Sequence, residues 1–308
     1  MTCQILTIIL SLAFVVGGSI ILVDGASSIA KKTGASDFVI GALIVGFGTS
    51  CPEMVVSFVG AIQGNSDIAI GNVIGSNIFN TLLILGVSAL VKPVFFTENN
   101  RRIDIPSLLV TTAILLVLNY TCGQIGRLIG AAFILLFIGY TTIIIKHSDG
   151  QTEGNIKEMS VWLSVLAVAG GIIALIGGGK AFVVASEALA KSIGVSDKFI
   201  AITILAFGTS LPEFATCLSA ALKGKSQMAL GDIIGSCIFN VLLILGGSSV
   251  IHPLSFSNIT HIDMATFLVS ALVMTLPLLK KRPKIGKVEG ACMIALFIMY
   301  MVYLIKTT

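Results

Sequence analysis

Apolar stretches of about 20 residues recur along this chain, the first running from Ile5 to Val23, and each is long enough to cross a hydrocarbon layer of roughly 30 Å as an α-helix. Composition agrees: 56% of the 308 residues are hydrophobic, only 11% are charged, and the mean hydropathy is +1.03. An average soluble domain carries about 25% charged residues, and one of this size could not hide so much apolar surface and stay dispersed. A bilayer is the solvent that fits, and the expected fold is an all-α membrane protein. Ten spans match the pattern, near 4–24, 37–62, 68–91, 105–121, 126–145, 160–187, 198–222, 228–251, 263–279 and 287–305. No Lys or Arg precedes the first stretch and no small-residue cleavage site follows it. It reads as a membrane helix, not a removed leader.

Residues 146–159 hold charge and divide the chain into 1–145 and 160–308, with five spans in each half. Lys31, Lys32, Lys92, Arg101, Arg102, Lys146, Lys157, Lys223, Lys225 and the basic run from Lys280 to Lys287 fall in alternate loops. Positive charge marks the cytoplasmic side, so this linker is expected inside and both termini outside, in the cell membrane. The net charge of +4 comes with no basic cluster on a soluble face, so nucleic-acid binding is not indicated. Cys3, Cys51, Cys122, Cys217, Cys237 and Cys292 form no CxxC pair and read as small buried hydrophobes.

The two halves are copies. Residues 46–86 align with 206–246 without a gap and with about half the positions identical, and Gly34-Ala-Ser-Asp37 falls on Gly194-Val-Ser-Asp197. Five spans per half is an odd number, so the second copy must enter the membrane upside down. Inverted repeats of this kind put the substrate site near the midplane, on discontinuous helices. Helices 2, 3, 7 and 8 are the ones expected to be broken.

Two blocks recur within the copies. The first, Gly-Thr-Ser-x-Pro-Glu, spans Gly48–Glu53 and Gly208–Glu213. Proline lacks an N–H and its ring clashes with the carbonyl four residues back. Pro52 therefore frees the carbonyl of Gly48 and loosens that of Thr49, and Pro212 does the same to Gly208 and Thr209. A freed carbonyl inside a membrane needs a partner. Glu53 lies one turn after Thr49 on the same face. Carboxylate, hydroxyl and bare carbonyl together make a hard, all-oxygen set suited to Na⁺ or Ca²⁺, not to zinc or copper. One proline kink beside a glutamate would be unremarked; two copies at matching depth point to function, as do glutamates at mid-membrane. The second block, Gly-[Asn/Asp]-x-Ile-Gly-Ser-x-Ile-Phe-Asn, spans Gly71–Asn80 and Gly231–Asn240. Ser76 and Asn80 share a helix face, as do Ser236 and Asn240. Gly71 with Gly75, and Gly231 with Gly235, have the small-xxx-small spacing that lets membrane helices pack closely.

Other polar residues suggest less. Asp24 and Glu187 fall near span ends and read as solvated or snorkelling. Asp232 stands where the first copy has Asn72 and reads as a helix cap or mouth residue. His147, His252 and His261 lie in loops. No nucleophile–base pair, metal triad or phosphate loop is present, so no catalytic residue and no enzyme activity are expected. A passive channel needs weak, multi-site binding along a continuous pore, which two shared glutamates fit less well than occlusion.

These paired blocks resemble the two repeats of the cation/Ca²⁺ antiporter superfamily, and most closely the prokaryotic Na⁺/Ca²⁺ exchangers, over essentially the whole chain. The resemblance implies that Glu53 and Glu213 are carboxylates shared by Ca²⁺ and Na⁺, with the carbonyls of Thr49 and Thr209 completing the Ca²⁺ site. It implies an inner Na⁺ site from Ser50, Ser76 and the Gly46 carbonyl, and an outer one from Ser210, Ser236 and the Ala206 carbonyl. Asn80 would sit centrally, and the first and sixth spans would slide to alternate access. Many relatives carry an aspartate where this chain has Asn240, which removes one titratable group and argues against K⁺ co-transport. Two ionised glutamates match one Ca²⁺. Three Na⁺ would leave one positive charge, so 3:1 exchange would respond to voltage by about 2.3 kcal/mol per charge per 100 mV. No cofactor is expected beyond the transported ions, and a monomer suffices. The superfamily also holds H⁺-coupled exchangers, so H⁺ or another divalent cation such as Mn²⁺ stays open; Mg²⁺ dehydrates reluctantly and fits less well.

Overall fold

A computed structural model describes residues 2–148, 150, 158–192, 206–279 and 283–307. The helices are α1 Thr2–Thr33, α2 Asp37–Thr49, α3 Cys51–Ile62, α4 Ser66–Val91, α5 Asn100–Thr121, α6 Arg127–Lys146, α7 Val161–Ser192, α8 Ala206–Thr209, α9 Leu211–Leu222, α10 Ser226–Ile251, α11 His261–Leu279 and α12 Lys287–Thr307. Among the described residues, eight helices are long and apolar enough to cross a membrane, and α2 with α3 forms a bent pair that makes a ninth. The seventh expected span, 198–222, is described only from residue 206.

Large hydrophobic side chains such as Phe14, Leu128, Trp162 and Ile173 face outward on α1, α6 and α7, as a hydrocarbon solvent permits. The two helices that carry the second sequence block are the innermost. The apolar stretch of α10 is 94% buried and that of α4 is 78% buried, whereas that of α12 is 17% buried.

Two expectations need correction. Helices α4 and α10 are not broken. Neither contains proline, and each runs on through a π-helical stretch, Phe79–Ile84 in α4 and Asn240–Leu245 in α10. A π turn absorbs the irregularity without cutting the helix. The first span is also longer than its apolar core suggested. It continues past Asp24 to Thr33, so Asp24 lies inside the helix and not at its end, with its half-buried carboxylate paired: Lys223 Nζ donates to its Oδ1 at 2.5 Å and to the Ile20 carbonyl at 2.9 Å. The side chain of Glu187 lies outside the described residues. A smaller departure from an all-helical chain is four two-residue strands, β1 Val94–Phe95, β2 Gln124–Ile125, β3 Leu254–Ser255 and β4 Lys284–Ile285.

The strands pair across the halves. Val94 pairs with Ile285 and Ile125 with Leu254, both antiparallel. Advance Val94 by 160 residues and move Ile285 back by 160, and the first pair becomes the second. The same exchange turns the contact of Gly18 with Ala174 on the long helices α1 and α7 into that of Gly178 with Phe14, where a Cβ at Gly178 would lie 3.2 Å from Phe14 Cβ. A Cβ at Gly18 would lie 2.9 Å from Ala174 Cβ, and one at Gly25 2.9 Å from Ala167 Cβ. A seven-residue advance along α1 is a seven-residue retreat along α7, so these long helices run antiparallel.

Turns repeat as well. Gly64 and Gly224 follow α3 and α9 with φ +70° and +77°, a left-handed conformation that glycine adopts without a Cβ clash. The residues that follow differ. Asn65 caps α4 by accepting from Ile68 N at 3.2 Å, whereas Lys225 is buried, with its Nζ 3.5 Å from Asp37 Oδ2. At the far end of the linker Glu158 pairs with Lys31, and that hydrogen bond holds the Glu158 carboxyl below the usual range.

The small-xxx-small glycines of α10 do what their spacing suggested. A Cβ on Gly235 would fall 2.5 Å from Ala42 Cα, and one on Gly231 would collide with the Phe38 carbonyl. Near Gly71 and Gly75 nothing among the described residues lies within 4 Å; their equivalent partners, near residues 198–202, fall outside the described residues. Gly235→Ala is therefore expected to force α2 off α10 and destabilise the fold by about 1–3 kcal/mol, seen as a lower thermal midpoint in detergent. Gly17→Ala, with nothing described within 4 Å, should leave that midpoint unchanged.

Candidate cation site

The helix break that places the site is local chemistry. Helix α2 ends at Thr49, Ser50 takes φ −81° and ψ 6°, and α3 restarts at Cys51 with Pro52 in its first turn. Proline is tolerated there because that position's N–H has no helical partner. The axis turns by 50° across the break. In the second half Ser210 has φ −91° and ψ 9°, and α9 begins Leu211-Pro212. Each break leaves a glutamate in the first turn of the new helix, Glu53 in α3 and Glu213 in α9, where the helix dipole favours negative charge.

Both glutamates are buried, at 1% and 0% exposure, and each is held by the other half. Ser50 Oγ donates to Glu213 Oε1 at 2.9 Å, and Ser210 Oγ donates to Glu53 Oε1 at 3.2 Å. Ser76 and Thr209 also face the Glu53 carboxylate. The second oxygen of each glutamate, Oε2, accepts no hydrogen bond, and neither do the buried Oδ1 atoms of Asn80 and Asn240. These four unmatched acceptors are two repeat-related pairs. Buried polar atoms without partners are rare and unfavourable. Four acceptors left open inside one apolar body fit a bound cation with oxygen ligands. Among the described residues no three His, Cys, Asp or Glu side chains gather as a metal-holding group, and the four open acceptors are two carboxylate and two amide oxygens.

The serines sort differently from the expected grouping. Ser236 Oγ donates to the Gly46 carbonyl at 3.3 Å, and Ser210 Oγ lies 3.5 Å from Ser76 Oγ. The expectation put Ser76 with Gly46, and Ser236 with Ser210. The halves cross instead, so the serine of each second block sides with the first block of the other half. Thr49 Oγ1 lies 3.1 Å from the Val45 carbonyl, 3.3 Å from that of Gly46 and 3.5 Å from Asp232 Oδ1. Ala206 and Thr209 bound the short helix α8 before the Ser210 break.

Several polar residues around the site were not singled out by the repeat. Asn77 Nδ2 donates to the Cys237 carbonyl at 3.0 Å, and Asn240 Nδ2 donates to Asn77 Oδ1 at 3.0 Å. Positions 77 and 237 are repeat equivalents that meet each other, but Asn against Cys gave no sign of it in the sequence. Asn72 Nδ2 donates to the Glu53 carbonyl at 3.1 Å and to Ser57 Oγ at 3.0 Å. Asp232 corrects the reading as a cap or mouth residue. It is the seventh residue of α10, it is 1% exposed, and Thr216 Oγ1 donates to its Oδ2 at 2.7 Å.

The chain matches the family described as sodium/calcium exchanger protein twice, over residues 3–146 and again over residues 163–306. It is 36% identical over 293 residues to the putative antiporter CaxA of Alkalimonas amylolytica, covering 90% of this chain and 91% of that one. It is 31% identical over 350 residues to the sodium/calcium exchanger MaX1 of Methanosarcina acetivorans, covering 98% and 99%. Among solved structures, the sodium-calcium exchanger NCX_Mj soaked with Na⁺ and Ca²⁺ superposes with a TM-score of 0.87 at 31% identity, covering 97% of this chain and 98% of that one. With both halves matched by one family and nearly its full length shared with these relatives, the chain is a multi-pass membrane protein that belongs to the sodium/calcium exchanger family.

Proposed function

We propose that this protein exchanges three Na⁺ for one Ca²⁺ across the membrane by alternating access, with the ions held between the two helix breaks. The observation that carries the reading is the set of four buried, repeat-related acceptors left open, Glu53 Oε2, Glu213 Oε2, Asn80 Oδ1 and Asn240 Oδ1, in a chain whose glutamates are held in crossed serine pairs. In this reading Ca²⁺ takes both glutamates and the carbonyls of Thr49 and Thr209. One Na⁺ takes the Gly46 carbonyl with Ser50 and Ser236, and another takes the Ala206 carbonyl with Ser210 and Ser76. The glutamates are common to both loads, so the ions exclude one another. An empty pair of carboxylates in a low dielectric is strongly unfavourable, and that penalty couples movement of one ion to return of the other.

The membrane arrangement belongs to the same reading. The chain has ten spans in two inverted halves, 1–145 and 160–308, with the 146–159 linker cytoplasmic, both termini outside, and the monomer as the working unit. The antiparallel packing of α1 on α7 supports a symmetry axis lying in the membrane plane, since a two-fold along the membrane normal would leave the two helices parallel. The exchanged strand pairs support the same swap of halves.

In Na⁺-loaded liposomes, Ca²⁺ uptake should require the outward Na⁺ gradient and rise with an inside-positive potential. Glu53→Gln and Glu213→Gln should each abolish it. Uptake that follows a pH gradient and ignores Na⁺ would move the protein to proton coupling, and Ca²⁺ flux without any counter-ion would replace exchange with a channel. Because position 240 is an amide, exchanging K⁺ for choline should leave the rate unchanged; a K⁺ requirement would overturn the role given to Asn240. Epitope tags at either terminus should be reachable from outside intact spheroplasts, and access only after permeabilisation would reverse the topology.

A further inference from the structure

The glutamate pair has a third acidic neighbour with no counterpart in the other half. Asp232 is 1% exposed and lies one helical turn before Ser236 on α10. Its two oxygens look to two different helix breaks: Oδ2 accepts from Thr216 Oγ1 of α9 at 2.7 Å, and Oδ1 lies 3.5 Å from Thr49 Oγ1 of α2. The Gly46 backbone packs against the same turn; a Cβ there would lie 3.0 Å from the Asp232 carbonyl and 2.9 Å from Ser236 Oγ. In the first half the equivalent Asn72 turns to its own half, donating to the Glu53 carbonyl and Ser57. An amide with a donor to give has been replaced by a group that accepts, and the replacement reaches across to Thr49.

We propose that Asp232 is a specificity-determining residue of the exchange, a third carboxylate whose charge favours Na⁺ on the Gly46–Ser236 side of the site. This rests on the exchange reading above. The acceptors around Thr49 Oγ1, namely Asp232 and the carbonyls of Val45 and Gly46, hold its single proton on their side and leave its lone pairs for an ion. Charge acts in the same direction. A negative group lowers the energy of a load of three positive charges more than that of a load of two. It acts most on the ion nearest to it, which is the Na⁺ assigned to Gly46 and Ser236. Glu53 matches Glu213, Ser50 matches Ser210 and Asn80 matches Asn240, whereas Asp232 against Asn72 puts an acidic group on one side and an amide on the other.

The test is Asp232→Asn, which installs the first half's own residue, with Asp232→Glu as the variant that keeps the charge. Both are reconstituted and compared with wild type for half-saturating Na⁺, half-saturating Ca²⁺, and Ca²⁺/⁴⁵Ca²⁺ self-exchange, which needs no Na⁺. The expected result is that Asp232→Asn keeps self-exchange and raises half-saturating Na⁺ about tenfold while Ca²⁺ shifts less than about threefold, as loss of one partly screened charge near a single ion should do. Asp232→Glu should fall closer to wild type than Asp232→Asn in half-saturating Na⁺. Equal shifts for both ions, no shift for either, or loss of self-exchange in Asp232→Asn would each overturn the inference while leaving Na⁺/Ca²⁺ exchange by wild type standing. A wild-type protein indifferent to Na⁺ would remove both readings together.

Discussion

Two carboxylates inside an apolar body are the constraint around which the molecule is organised. A buried charge is stable only when paired and hydrogen-bonded, and each glutamate of this chain takes a hydroxyl partner from the opposite half. Ser50 serves Glu213 and Ser210 serves Glu53. That crossing requires the two helix breaks to face one another at one depth. The breaks in turn require proline in the first turn after each serine. Helices α4 and α10 line the meeting place, and glycine at 231 and 235 lets α10 approach α2 closely enough for Ser236 to reach the Gly46 carbonyl. The lipid-facing helices, by comparison, carry few constraints beyond apolarity and length.

Much of this was legible in the sequence because duplication wrote it twice. The 160-residue offset identified the breaks at Pro52 and Pro212, the glutamates after them and the asparagines ending each second block; the helices do break before both prolines, and the glutamates and asparagines are buried. What the offset could not give was which copy each residue serves. Ser76 and Ser236 were grouped with their own halves because sequence alignment carries no information about crossing, and only packing reveals it. The continuity of α4 and α10 was also misread. The inverted-repeat architecture suggested breaks, but without proline these helices run on through π-helical stretches. Asp24 was misplaced for a different reason: hydropathy ended the first span where a charge appeared, and the charge is paired with Lys223 from a distant helix.

The departures from symmetry are as informative as the repeat. Lys225 and Asp232 both replace asparagines of the first half, Asn65 and Asn72, and both are buried. One sits beside Asp37 at the end of α2, the other beside Thr49 at its opposite end. The second copy thus holds the first copy's broken helix by charge at both ends, where the reciprocal first-copy positions carry only amides.

The crossed pairs also bear on how such a chain can be made. The serine–glutamate contacts join residues separated by 163 and 157 positions, so the first half enters the bilayer with Glu53 lacking the hydroxyl that will hold it. Until Ser210 has been synthesised, that carboxyl lacks its partner from the second half, and of the hydroxyls that face it only Ser76, from its own half, is present. Assembly of the two halves is therefore a single late event in biosynthesis, not a gradual accumulation of local structure. A ribosome that stalls between the halves would leave a fragment in which Glu53 lacks the Ser210 hydroxyl that the second half supplies.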